Sequence, residues 1–332
     1  MNNKRPIIID TDPGIDDAVA IAAAVFSNSI DVKLISTVAG NVSIDYTTNN
    51  ALKLVEFFGK DIPVAQGSCK PLTREVEHCS NIHGETGMAG YDFPEPTRTI
   101  IAKNSVDAMK DVILNSKEKV TLVPIGPLTN IALLLTTYPE VKENIEEIVL
   151  MGGSSGRGNH TPAAEFNIYV DPEAAKIVFG SKVKIVVCSL DVTSVATLDL
   201  ETINKLKVMN KVGDMFYSMF NHYRGGSVSK GGLKMHDLTT IAYLDKPELF
   251  EKIDTFVDVE TSGEYTSGFM VVDFKGTYNK PNNATFCTEI NVEAFREWML
   301  IYKFYIGGII NVRDYYCFIS CFRCRLFNLQ KV

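Results

Sequence analysis

Tryptophan occurs once in this chain of 332 residues, cysteine only seven times, and there is no excess of basic residues. Each scarcity excludes something. Seven cysteines, an odd number at irregular spacing, do not make a disulfide framework, so a reducing cytoplasm is the expected compartment. A formal charge of −7 leaves no basic surplus for displacing counterions, which argues against nucleic acid as a partner. A small neutral or cationic substrate is easier to reconcile with it. The apolar run 18–26 is nine residues long, too short to cross a bilayer, so no membrane partner is expected. Lys4 and Arg5 precede three isoleucines, but Asp10 ends that run well short of an export-signal core. Internal repeats and Ser- or Pro-rich linkers are missing as well, which leaves one domain through about residue 300.

What is there is a rhythm. Apolar runs at 6–9, 32–38, 62–65, 120–124, 148–151 and 183–188 read as buried strands. Helical stretches fall between or after them at 17–26, 46–58, 105–115, 128–137 and 172–179. Asp171 before Pro172 is a clear helix start, a capping carboxylate followed by proline at the first helical position. Such alternation predicts an α/β fold, a single domain with a mostly parallel central sheet flanked by helices. Further on, 200–223 and 237–244 read as helices, and 255–260 and 269–274 as late strands. The stretch 70–99 breaks the rhythm; long connections of this kind are often lids or binding loops.

The segment Asp10-Thr11-Asp12-Pro13-Gly14-Ile15-Asp16-Asp17 places four carboxylates just past the first strand. In open α/β sheets ligands bind at the carboxyl ends of strands. Four such groups repel one another and resist ionising without a cation among them. Helix capping explains one aspartate but not four. Dense oxygen donors with no neighbouring His or Cys suit Ca²⁺ or Mg²⁺ better than zinc. A haloacid-dehalogenase-like phosphatase also opens with a strand and Asp-x-Asp, but this chain has Gly14 where that motif carries Thr or Val. Other polar residues follow other strands: Asn41, the Ile125 carbonyl, the glycine-rich 152–159, Glu165 and Asn167, and His236-Asp237.

Assembled, these residues resemble the inosine–uridine nucleoside hydrolase family. The carriers are the 10–18 segment, Ile82-His83-Gly84-Glu85-Thr86-Gly87, Gly126-Pro127-Leu128-Thr129-Asn130, Ala164-Glu165-Phe166-Asn167 and His236-Asp237, in the family's order. Ala89-Gly90-Tyr91-Asp92-Phe93 and His222-Tyr223-Arg224 are most similar to the RihC-type ribonucleoside hydrolases. The resemblance implies a Rossmann-like fold and Ca²⁺-dependent hydrolysis of ribonucleosides to base and ribose, in a homodimer or homotetramer. It implies Ca²⁺ held by Asp12, Asp17, the Ile125 carbonyl and Asp237, with Asp12 as general base. Asp16, Asn41, Asn159, Glu165 and Asn167 would hold the ribose, and Asp10 would support the cluster from behind. His83, His222 and His236 would face the base, His236 being the expected proton donor and His83 the second choice. A calcium-dependent nucleoside- or sugar-binding protein without chemistry is the non-enzymatic alternative.

Residues 301–332 depart from this pattern. They hold eight aromatics, three of the seven cysteines, and a charge of +4. Cys317, Cys321 and Cys324 match an iron–sulfur spacing, but that motif normally precedes its barrel, and here it stands near the end of the sequence. The stretch reads as an extension that catalysis does not need.

A site that hydrogen-bonds the ribose 2′-hydroxyl should reject 2′-deoxynucleosides by up to ~10⁴–10⁵-fold in kcat/KM. Uridine against deoxyuridine measures this, and equal values would contradict the ribose clamp.

Overall fold

The computed structural model describes residues 4–223 and 232–305. Arg224 and the cysteines of the 306–332 stretch lie outside the described residues.

The first half alternates as expected: β1 (Arg5–Thr11), α1 (Ile15–Val25), β2 (Ile30–Thr37), α2 (Ile44–Phe57) and β3 (Val64–Gln66). After the short α3 (Ser80–His83) come α4 (Ser105–Asn115), β4 (Val120–Pro124), α5 (Thr129–Thr137) and β5 (Ile145–Met151). Then follow α6 (Phe166–Val170), α7 (Pro172–Phe179), β6 (Ile185–Cys188), α8 (Leu190–Thr193) and β7 (Thr197–Leu198). The last part holds α9 (Leu200–Lys207), α10 (Lys211–Phe220), β8 (Leu233–Lys234) and α11 (Leu238–Asp245). It closes with β9 (Phe250–Thr255), β10 (Val257–Val259), β11 (Met270–Val272), β12 (Ala284–Ile290) and α12 (Val292–Tyr305).

The central sheet has eight strands in the order β3-β2-β1-β4-β5-β6-β12-β9, all parallel except β9, which runs antiparallel to β12. Its first six strands have the doubly wound order, and the direction of winding reverses between β1 and β4. Loops leaving those two strands part in opposite directions, and the gap between them is where such sheets hold ligands. Side chains along β1 alternate faces, as a period of two requires. Ile7 and Ile9 join the core under α1, α10, α11 and α12, while Ile8 joins the core under α4, α5 and α7.

Two differences from the sequence reading stand out. The expected late strands 255–260 and 269–274 appear as β10 and β11, but they pair only with each other, in a separate antiparallel ribbon. The sheet is completed instead by β9 and β12. The helix expected over 200–223 is broken, because the Asn210 side chain accepts from the amides of Val212 (3.0 Å) and Gly213 (2.9 Å) and starts a new helix. The capping of α7 does match: Asp171 Oδ1 accepts from the Ala174 amide at 3.0 Å with Pro172 at the first position. Beyond Leu300 the backbone stays helical through Tyr305. Upstream, α12 is anchored by buried Phe295 and by Trp298, whose indole donates to Asp245 Oδ2 at 2.7 Å. Among the described residues, no helix is long and apolar enough to cross a membrane.

Candidate active site

The turn from β1 into α1 is the foundation of the site. Thr11 Oγ1 donates to Asp17 Oδ1 at 2.6 Å, and the Gly14 amide donates to Asp17 Oδ2 at 2.9 Å. Asp17 is thus pinned in the first turn of α1, where the helix dipole favours negative charge. From the β2–α2 loop, the Asn41 amide donates to Asp12 Oδ2 at 2.7 Å, and Asn41 Nδ2 donates to the Asp12 carbonyl at 3.1 Å and to Asp17 Oδ2 at 3.3 Å. Gly40 and Gly126 flank Asp12 closely. A Cβ at Gly40 would overlap its carboxylate, and one at Gly126 would stand 2.6 Å from Oδ1. Two glycines therefore leave the space that this carboxylate occupies.

Asp237, at the start of α11, closes the group from the far side. Oxygens of Asp16, Asp17 and Asp237 all lie within 4.8 Å of one another, and all three residues are buried. The tightest trio thus contains Asp16, which the sequence reading places on the ribose, rather than Asp12. Asp12 borders the trio through Asn41, and its Oδ1 has no hydrogen-bond partner. Burial first, and the neighbouring Asp17 next, raise the Asp12 carboxyl far above the usual range. Asp237 is pushed up likewise by burial and then by Asp16, Asp17 and Asp12. Burial followed by Asp16 raises Asp17 to about 7. Clustered, desolvated carboxylates with an orphaned oxygen, and no lysine or arginine among the described residues lining the cleft, fit a hard divalent cation.

Asp10 stands behind this group and faces α5. Its Oδ1 accepts from Ser36 Oγ and from Asn130 Nδ2, the latter at 2.8 Å, and burial raises it to about 7. It does not line the cleft.

The cleft itself has about 570 Å³ of empty space, counting its open mouth. On one wall, Glu165 caps α6 by accepting from the amides of Gly153 (2.9 Å), Asn167 (3.0 Å) and Ile168 (3.1 Å). These amides oppose the effect of burial, which still raises the Glu165 carboxyl to about 7. Asn167 Nδ2 donates to the carbonyls of Ile125 (3.0 Å) and Met151 (3.1 Å), so the Ile125 carbonyl already has one donor. Asn159 is exposed at the rim, where its Oδ1 accepts from the Phe166 amide at 3.0 Å. The glycine-rich 152–159 loop is no phosphate cradle, because its Gly153 and Ser155 amides are spent on Glu165 and Asp191.

On the opposite wall, His83 Nδ1 accepts from the Ile15 amide at 3.1 Å, which places the ring proton on Nε2. His236 Nδ1 lies 2.8 Å from Thr193 Oγ1. Both histidines are buried and line the cleft. His222 does not: it is exposed, and its Nδ1 bonds to the Ser218 carbonyl at 3.1 Å. Its neighbour Tyr223 takes that place, buried with its ring 5.3 Å from that of His83. His160 and Cys79 also line the cleft. Neither stands out in the sequence, although His160 directly follows Asn159.

The sequence pattern of the inosine-uridine preferring nucleoside hydrolases matches residues 7–297. The chain belongs to that family. It is 55% identical over 299 residues to the non-specific ribonucleoside hydrolase RihC of Salmonella paratyphi C, covering 90% of this chain and 97% of the relative. The RihC of Salmonella typhi matches equally. Among solved structures, the purine-preferring ribonucleoside hydrolase from Gardnerella vaginalis superposes with a TM-score of 0.86 at 27% identity, over 92% of this chain and all of that one. Membership makes this chain a ribonucleoside hydrolase and sets aside the phosphatase alternative. It also implies a metal cofactor, which the acidic group is built to accept.

Asp10, Asp17 and Glu165 carry folded pKa values of about 7, above the unfolded range near ~4. Groups raised in this way stabilise the fold fully below the unfolded value, and that contribution fades as pH rises through the folded one. Chelated protein should therefore melt lower at about pH 7.5 than at about pH 5, and added Ca²⁺ should restore more stability at the higher pH. Scanning calorimetry checks this; a chelated protein that gained stability over that interval would contradict it.

Proposed function

We propose that the chain cleaves the N-glycosidic bond of both purine and pyrimidine ribonucleosides with the help of Ca²⁺, acting as a cytoplasmic homodimer or homotetramer. The observation that carries this reading is the meeting of Asp16, Asp17 and Asp237, with Asp12 beside them, at a cleft that Asp16, Asp237, Glu165 and Asn167 line. The aspartates suit a cation and a sugar diol, Glu165 and Asn167 the remaining hydroxyls.

Asp12, Asp17, Asp237 and the Ile125 carbonyl would hold the ion, with Asp16 as a further oxygen beside them. When bound, the ion supplies a Lewis acid that makes a water more acidic and gathers the ribose diol. Asp12 takes the proton of the attacking water, a role open to its unpartnered Oδ1. General-base help of this kind is worth ~10²–10⁴-fold. Asp16, Asn41, Asn159, Glu165 and Asn167 orient the sugar, and Asp10 steadies the end of β1. The C1′–N bond breaks as the C1′–O bond forms, through a state resembling an oxocarbenium ion, as in an inverting glycosidase. The departing base takes a proton from His236, with His83 next in reach. His222 is left without a direct role.

Asp12→Ala should lower kcat on uridine and inosine by at least ~10²-fold. It should leave the thermal midpoint of chelated protein unchanged or raised, because one desolvated, crowded carboxyl is gone. A panel of ribonucleosides scored for free ribose reads the first effect and calorimetry the second. Undiminished turnover would remove Asp12 as the base.

A further inference from the structure

One nucleophile on the cleft wall has no part in the hydrolysis. Cys79 stands just before α3, with its amide donating to the Asn41 carbonyl at 3.0 Å. Its Sγ lies 3.8 Å from Nδ1 of His160. The other ring nitrogen, Nε2, lies 3.2 Å from Oε2 of Glu77. An ionised carboxylate only accepts, so this contact puts the ring proton on Nε2 and turns the Nδ1 lone pair toward sulfur. The order is nucleophile, base, orienting carboxylate, the geometry that activates thiols elsewhere.

The arrangement is held from several directions. Glu77 and Cys79 come from the long connection after β3, and His160 comes from the loop between β5 and α6. The imidazole packs against the rings of Tyr169 at 4.6 Å and Phe166 at 5.3 Å. The Tyr169 hydroxyl donates to Glu77 Oε1 at 3.2 Å, fixing the carboxylate in turn. Cys79 is half-buried at the cleft wall, where a small reagent entering from solvent can meet it. The remaining described cysteines offer a contrast: Cys69 is simply exposed, and Cys188 and Cys287 are buried in the sheet.

We propose that Cys79 is a modification site for small disulfides, activated by His160 and Glu77, and that a group attached there closes the cleft. Nδ1 of His160 takes the thiol proton, and Sγ attacks one sulfur of the disulfide. The S–S bond breaks, and the departing thiolate recovers the proton from His160. One disulfide and one protein thiol become one mixed disulfide and one free thiol. Closure, but not modification, rests on the cleft being the nucleoside site.

The test uses the full chain with oxidised glutathione and peptide mass mapping, which separates all seven cysteines. Cys79 should react at least about tenfold faster than Cys69, and both His160→Gln and Glu77→Gln should slow it severalfold. Uridine hydrolysis should fall in step with Cys79 occupancy and return with dithiothreitol, while Cys79→Ser keeps whatever rate it has in the presence of the reagent. Equal rates at Cys79 and Cys69, or rates untouched in both variants, would overturn the activation. Full occupancy with undiminished hydrolysis would overturn the closure. A preparation that never hydrolysed uridine would count against the hydrolase reading, and the mapped rates would still decide the activation.

Discussion

Repulsion among buried carboxylates at the end of β1 is the constraint around which this protein is arranged. Asp12, Asp17 and Asp237 are each driven toward the neutral form by burial and by neighbouring carboxylates, Asp16 among them in every case. A stretch of chain selected for stability alone would not put them there. The surrounding structure holds the arrangement with groups that favour negative charge: the Thr11 hydroxyl, the amides of Gly14 and Asn41, and the start of α1. Glycine at 40 and 126 keeps space around Asp12 that any side chain would take. A cation would turn this costly group into a binding site, the part that the proposed mechanism gives it.

The sheet makes the arrangement possible. β1 and β4 lie side by side where the winding reverses, so Asp12 and Ile125 come together from neighbouring strand ends, with Asp10 behind them. Period-two alternation buries Ile7, Ile8 and Ile9 on both faces, which makes β1 a rigid mount. Asp171 repeats the theme of a buried carboxylate held by donors: it accepts from Thr129 Oγ1 at 2.7 Å and from the Leu72 amide at 2.9 Å. That ties α5 and the connection after β3 to the start of α7. The connection therefore rests on fixed points as it passes the cleft with Glu77, Cys79 and His83.

Much of this was legible in the residues themselves. The buried centres of β1, β4, β5 and β6 are largely apolar because helices cover both faces, and such runs announce themselves. β9 does not, since only Phe250 and Thr255 of its six residues are buried and an edge strand carries little hydrophobic signal. β12 is obscured by a register shift between Cys287 and Glu289, which interrupts its alternation. The break after α9 is hidden because Val208 is apolar yet 84% exposed. In the site, the 10–17 cluster is contiguous and therefore plain. The Cys79–His160 contact joins residues 81 apart, and only the fold could bring them together. His222 and Tyr223 show the finer limit: a one-residue step along the chain decides which side chain enters the cleft.

The most direct measurement is a crystal structure grown in Ca²⁺, with the ion located by its anomalous scattering and the bound amount counted by calorimetry. One ion per chain should lie among Asp12, Asp17 and Asp237, with the Ile125 carbonyl among its ligands, and Asp17→Asn should lose it. Carboxylates that stay protonated and bonded to one another in saturating Ca²⁺, with no ion between them, would contradict this.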